Sequence, residues 1–386
     1  MESIITSMNI KRFGTSIIVF ILFILMSCSK EQITESVKNI TVIDTSSVLT
    51  ASTVILSMGT GFNLGNTFDL AQNSTTPESI RPIIDLYYNA GMRHIRIPVT
   101  WREGFSGNTL ANTSGTVNYL HPRFLQLKAV IEYALERKMY VVLNMHHEHW
   151  LKDNYDGSAL HDSIFTNLWR GIANYYKDYS DHLIFEILNE PDGAFGDWNG
   201  GTTPNDPIAL ALTRNINYIG YKAIRETGGK NVTRIIMVST NGQGNQSQIE
   251  EVYPNKATLP GGGSDSYLAI QVHTYDPWSF CGENGSNASW PGGNSLINAV
   301  GKVAVHSKLI GVPINYGELG VGRASNTAER NTDIVREYYR TMRIAALNEK
   351  MSITFWDDRG WFGLIAKDGT GTYNFLYNII PTVMDP

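Results

Sequence analysis

The sequence predicts an α/β fold, a single closed (β/α)8 barrel of the TIM type, and three observations predict it. Eight short apolar runs recur along the chain, each bounded by Gly, Pro or Asn. Helix-patterned stretches separate them, and polar residues gather at their C-terminal ends.

The runs lie at 61–65, 94–99, 140–146, 183–190, 234–240, 268–275, 313–320 and 352–358. Stretches such as Val-Val-Leu-Asn-Met and Leu-Ile-Phe-Glu-Ile-Leu are apolar on both faces, as parallel strands covered on both sides must be. Amphipathic helices are expected at 77–90, 122–137, 162–179, 206–227, 295–306 and 327–348. After the fifth run the helical pattern is weak, near 246–252. Strand and helix alternating through eight strands favours closure over an open doubly wound sheet.

With 386 residues, 42% of them hydrophobic, the chain is long enough for one barrel of about 250 residues or more. No repeat and no second linker follows residue 50, so one domain is expected over 51–386. The net charge is -5 and Lys and Arg are scattered, so no basic stripe marks a nucleic-acid surface. A monomer without cofactor is expected.

Before the domain, Lys11 and Arg12 precede an apolar run at 17–26 that ends at Ser27-Cys28. Charged, apolar and small-residue segments in that order read as an export signal over 1–28, too short to span a bilayer. Leu25-Met26-Ser27-Cys28 resembles a bacterial lipobox, with Met26 where a small residue is usual. The resemblance implies lipidation of Cys28 and a place at the bacterial cell surface or in the periplasm, anchored to the outer membrane, or else secretion. The lipid would be the only link to a membrane, and Cys281 would be left without a disulfide partner. Residues 29–50, rich in Ser, Thr, Glu and Lys, read as a polar tether.

A barrel places its chemistry at the C-terminal strand ends. There the sequence offers Asn66 and Asp69, Arg96, His146 and His147, Asn189 and Glu190, His273 and Tyr275, Glu318, and Trp356. Glu190 and Glu318 end the fourth and seventh runs, which face each other across the mouth. Glycosidic cleavage needs such a pair: one carboxylic acid to protonate the leaving oxygen, and one carboxylate to attack the anomeric carbon or activate water. A carboxylate beside an apolar strand is costly without a partner, and the alternative is a structural carboxylate that pairs with Arg96 or caps a following helix.

In this order, several stretches together resemble glycoside hydrolase family 5, the cellulase and mannanase family, over most of 55–360. They are Gly-Phe-Asn-Leu-Gly-Asn at 61–66, Arg-Ile-Pro-Val at 96–99, Leu-Asn-Met-His-His-Glu at 143–148 and Asn-Glu-Pro at 189–191. His-Thr-Tyr at 273–275, Gly-Glu at 317–318 and Phe-Trp-Asp at 355–357 complete the set. The resemblance implies a retaining double displacement with Glu190 as acid/base and Glu318 as nucleophile. Arg96 would orient the nucleophile and lower its pKa, Asn189 would bind the sugar 2-hydroxyl, and Tyr275 would touch the nucleophile. His146 and His273 would contact substrate or the carboxylates, and Trp356 would floor the subsite of the sugar being cleaved.

Asn66, Asp69 and His147 are candidate sugar contacts, and Trp150, Trp278 and Trp361 candidate extensions of an aromatic platform. Glu190 is expected to keep its proton near neutral pH because of the neighbouring charge of Glu318. The loops at 104–118, 193–207 and 280–294 are expected to wall the cleft. The partner expected is a polysaccharide cut internally, with a β-1,4-glucan backbone first, mannan second, and a non-catalytic polysaccharide-binding surface lipoprotein as the rival. His146-His147-Glu148-His149 does not make a metal site on this reading. Adjacent strand residues point to opposite faces, and no helix-borne partner completes a ligand set. The Gly run at 261–263 lacks the strand-to-helix setting of a phosphate loop.

Overall fold

The computed structural model describes residues 49–70, 75–104 and 109–385. The export signal, Cys28 and the tether up to residue 48 lie outside them. Eight parallel strands close into a barrel in chain order: β1 (Thr60–Asn63), β2 (His94–Ile97), β3 (Tyr140–Asn144), β4 (Leu183–Glu186), β5 (Ile236–Ser239), β6 (Leu268–Thr274), β7 (Ile314–Leu319) and β8 (Ser352–Phe355). Every expected strand is present. Closure is made by β1 pairing with β8, Gly61 opposite Thr354.

The helices form the outer ring close to their expected places: Pro77–Asn89, Pro122–Glu136, Ala159–Tyr176, Pro207–Arg225, Gly293–Ile310 and Asp333–Asn348. Caps set several starts. Thr76 and Ser79 make a reciprocal capping box before Pro77, and Asp206 accepts from the backbone N–H groups of Ile208 and Ala209. The weak stretch after β5 is a 3-10 turn, Gln246–Gln248, running into one helical turn, Ile249–Val252.

Several elements were not expected, those at the two ends of the described domain among them. Helix Ala51–Met58 packs its buried Ala51, Val54, Ile55 and Met58 against Tyr140, Val142, Ile184, Met237 and Ala269. A hairpin of β9 (Ile365–Lys367) and β10 (Tyr373–Phe375) leads to a last helix, Ile379–Met384.

Strand parity sets the layering of the interior. Val141, Leu143, Leu183, Phe185, Ile236, Val238, Leu268 and Ile270 belong to the large core beneath the helices, and their alternate neighbours belong to the small cluster on helix Ala51–Met58. Side chains alternate faces along a strand, so the small cluster fills the lower barrel interior. The same parity carries upward from Val142 to Asn144, from Ile184 to Glu186, from Met237 to Ser239 and from Ala269 through Gln271 to His273. The upper interior is therefore polar, and it is where the site forms.

Candidate active site

At the centre of that upper layer is Arg96, fully buried. Its Nε and Nη2 donate to Glu186 at 2.6 and 2.7 Å, and Nη1 donates to Glu318 at 2.6 Å and to Asn63 at 2.9 Å. Nη2 also donates to Asn189 Oδ1 at 2.6 Å. A planar fork with five donors suits this demand, and a guanidinium out of water is tolerable only when so paired. Burial works to raise Glu186, but the adjacent charge of Arg96 overrides it and holds that carboxyl below its ordinary value. With Asn189 Oδ1 committed to Arg96, its Nδ2 is left as a buried donor with no protein acceptor.

Glu190 follows with φ 43, immediately before Pro191. A left-handed backbone at a non-glycine residue costs roughly 1–3 kcal/mol, and it persists where the surroundings over-determine it, as at functional sites. The turn carries the carboxyl to His273, whose Nδ1 hydrogen-bonds Glu190 Oε1 at 2.9 Å. Tyr275 OH donates to Glu318 Oε2 at 3.1 Å. One oxygen of Glu190, one of Glu318 and a ring nitrogen of His273 lie within 4.8 Å of one another. Gly317, just before Glu318, leaves room for its neighbours: a Cβ there would clash with Gln271 Oε1 and lie 2.9 Å from His273 Nε2, so one or both side chains would have to move.

Burial pushes the Glu190 carboxyl up to about 7, with Lys152 pulling down and Asp192 pushing up. The expected direction holds, but the cause is loss of water rather than the charge of Glu318. At Glu318 burial is the largest influence and the net direction is upward, although Arg96 pulls the carboxyl down in the expected sense through its charge and its hydrogen bond. Burial also holds His273 down at about 4, so its imidazole is neutral at neutral pH and its bond to Glu190 is not an ion pair there.

These groups open into a cleft of about 860 Å³. Asn66, His146, His147, Glu190, His273, Tyr275, Trp278, Glu318 and Trp356 line it as expected, with Arg96 and Asn189 beneath. The Trp356 ring covers Gly65, where a Cβ would lie 2.9 Å from it, and runs parallel to the His146 ring at 6.0 Å.

Three expected contacts lie elsewhere. Asp69 is 1% exposed and accepts from the backbone N–H groups of Asn66 and Thr67 at 3.0 and 2.7 Å, so it pins the loop that presents Asn66. Trp150 donates to Glu148 at 2.6 Å and lies under the Arg102 guanidinium, 4.2 Å from the ring centre, so it is loop packing. Trp361 stays at the surface because Asp358 folds the turn through the N–H groups of Gly360 and Phe362, and Phe362 reaches the cleft instead. Loop 193–207 supplies Trp198 and Asn199 to the wall and loop 280–294 supplies Glu283, whereas none of the described residues of 104–118 lines it.

Glu186, Lys152 and Trp198 went unread in the sequence, and Glu148 figured only in the family stretch and in the rejected metal reading. Glu186 had a signal: a carboxylate in the middle of an apolar strand needs a buried cation. Among the described residues two triads bring potential metal-ligand atoms within 4.8 Å, Asp69 with His146 and His147, and Glu190 with His273 and Glu318. The carboxylates of both are already engaged in hydrogen bonds within the protein.

A model of the cellulase family (glycosyl hydrolase family 5) matches residues 58–359. Endoglucanase A of Clostridium longisporum is 31% identical over 338 residues, 82% of this chain and 61% of that protein. The chain spans 63% and 64% of two further endoglucanase relatives, from Clostridium cellulovorans and Ruminococcus albus. Among solved structures, a GH5-4 broad specificity endoglucanase from Clostridium acetobutylicum superposes with a TM-score of 0.72 at 25% identity, over 87% of this chain and 100% of that one. A glycoside hydrolase 5 lichenase mutant from Caldicellulosiruptor sp. F32, in complex with cellotetraose, does so with 0.69 at 26% identity, over 87% and 95%.

Proposed function

The chain belongs to glycosyl hydrolase family 5, and from that membership we propose that it is a retaining endo-β-glucanase cutting β-1,4-linked glucan backbones: cellulose, mixed-linkage glucan or xyloglucan. One observation carries the reading: Glu190 and Glu318 bring carboxylate oxygens within 4.8 Å of each other and of His273, inside an open cleft. Retaining carboxyl groups sit about 5–5.5 Å apart and inverting ones about 6.5–9.5 Å apart, and near oxygens within 4.8 Å are in keeping with the closer arrangement.

On this reading Glu318 attacks the anomeric carbon, positioned by Arg96 on one oxygen and Tyr275 on the other. Glu190, protonated up to about pH 7, gives its proton to the departing glycosidic oxygen and so avoids an alkoxide. In the second half it takes a proton from the water that releases the sugar from Glu318, ready to begin again. The unpartnered Asn189 Nδ2 is available to the sugar 2-hydroxyl, a bond that strengthens as the oxocarbenium ion develops. Trp356, Trp278 and Trp198 offer flat apolar faces to pyranose rings. Similarity to endoglucanases supports the glucan choice.

Export with lipidation at Cys28 is part of the proposal, supported by the order Lys11-Arg12, apolar run, Ser27-Cys28. Palmitate labelling lost in Cys28→Ser supports it, and labelling of neither form removes it.

The function is tested by reducing-end release from carboxymethylcellulose, mixed-linkage glucan, xyloglucan and galactomannan, using protein without residues 1–28. Release from a glucan, abolished in Glu318→Ala, is expected. Release from galactomannan alone moves the assignment to a β-mannanase, and binding without turnover moves it to a non-catalytic polysaccharide-binding lipoprotein.

A further inference from the structure

Lys152 ends the one-turn helix His149–Lys152 that comes after β3, and its side chain is only 3% exposed. A buried ammonium is costly unless an anion answers it. The anion at hand is Asp192, 3.7 Å away and 27% exposed, two residues beyond Glu190. The two segments also touch through their backbones. Gly193, at φ 58, packs on the Lys152 carbonyl so closely that a Cβ would lie 2.7 Å from it.

We propose that Lys152 and Asp192 are a positioning pair that fastens the strained Glu190 turn to the β3 loop and balances the charge beside the Glu190 carboxyl. The inference rests on the reading of Glu190 as the proton donor. Neither residue touches the bond to be cut. Their charges act on Glu190 with opposite sign, Lys152 lowering and Asp192 raising its proton affinity. Lys152 also acts on His146, His147 and His273, which line the cleft.

Other charges face Glu190 from every side. Arg96 on β2 lowers its proton affinity and Glu186 on β4 raises it. His273 on β6 is hydrogen-bonded to it, and Tyr275 and Glu318 complete the ring. Asp192 in turn feels Asp153, His149 and Asp197. Arg96, Glu186, Glu318, Tyr275 and His273 are bonded to one another or to Glu190. The Lys152–Asp192 pair can be altered without removing any of those contacts.

The test compares Lys152→Met, Asp192→Asn and Lys152→Arg by the alkaline limb of the kcat/KM profile on the glucan that is turned over. In parallel, 13C NMR titration of the Glu190 carboxyl is assigned by Glu190→Gln. Lys152→Met is expected to move limb and titration up by about one pH unit, Asp192→Asn to move both down, and Lys152→Arg to stay near the parent. Opposite displacements are something general loosening does not produce. Unchanged titrations, or displacements of the same sign, overturn the proposal. If no glucan is turned over, the functional reading fails while the NMR titration still decides the pair.

Discussion

Arg96 shows how one side chain organises the site. It binds two carboxylates and two amides, and so fixes Glu318 and turns Asn189 to present its free Nδ2. Asn189→Ala removes that donor and leaves Arg96 one acceptor short, so kcat is expected to fall about 10²- to 10³-fold with the fold intact by circular dichroism. The pH profile has a definite sign. Glu190 acts when protonated and its carboxyl is pushed to about 7, so activity falls as pH rises through about 7. With an aryl glucoside whose leaving group needs no proton, Glu190→Gln is expected to keep its first step and lose that limb. At this scale the sequence was informative where residue type and strand end coincide, as at Glu190, Glu318 and Arg96. It misplaced Trp150 and Asp69, because a loop side chain's direction depends on neighbours such as Glu148 and the Asn66–Thr67 backbone.

Among elements, the apolar runs identified all eight strands, since a strand covered on both faces has little freedom in composition. Helix Ala51–Met58 was not readable because eight residues are too few to show a helical period beside a polar stretch. Its role is clear in the structure: Ile55, fully buried, packs in the lower barrel interior. Ile55→Ala is expected to cost about 2–5 kcal/mol in urea unfolding, with kcat of the folded fraction unchanged because the site lies at the other end. The β9–β10 hairpin carried a legible Asp368-Gly369 turn signal, yet nothing in the barrel pattern asks for an extra hairpin.

For the whole molecule, two sets of buried groups oppose each other in their effect on stability. Burial raises Glu148 and Glu190 to about 7 and Asp69 to about 6, so their contributions are full below the ordinary carboxylate range and lost as pH rises toward 7. Burial lowers His94 and His273 to about 4 and His147 to about 3, so theirs are full above the ordinary histidine value and lost as pH falls toward 4. The melting temperature is therefore expected to change little between about pH 5 and 7. Glu148→Gln removes one raised carboxyl and should tilt that plateau so that stability rises with pH; a parallel curve would contradict the balance.

The central claim is that Glu318 attacks sugar while Glu190 supplies the proton. Its most direct test is to incubate the protein with a 2-deoxy-2-fluoro-cellobioside bearing a good leaving group and to map any adduct by peptide mass spectrometry. One added fluorocellobiosyl group is expected, on Glu318 alone, absent in Glu318→Ala and released when a glucan acceptor is added. An adduct on Glu190, or steady glucan turnover with inverted product and no adduct, would contradict it.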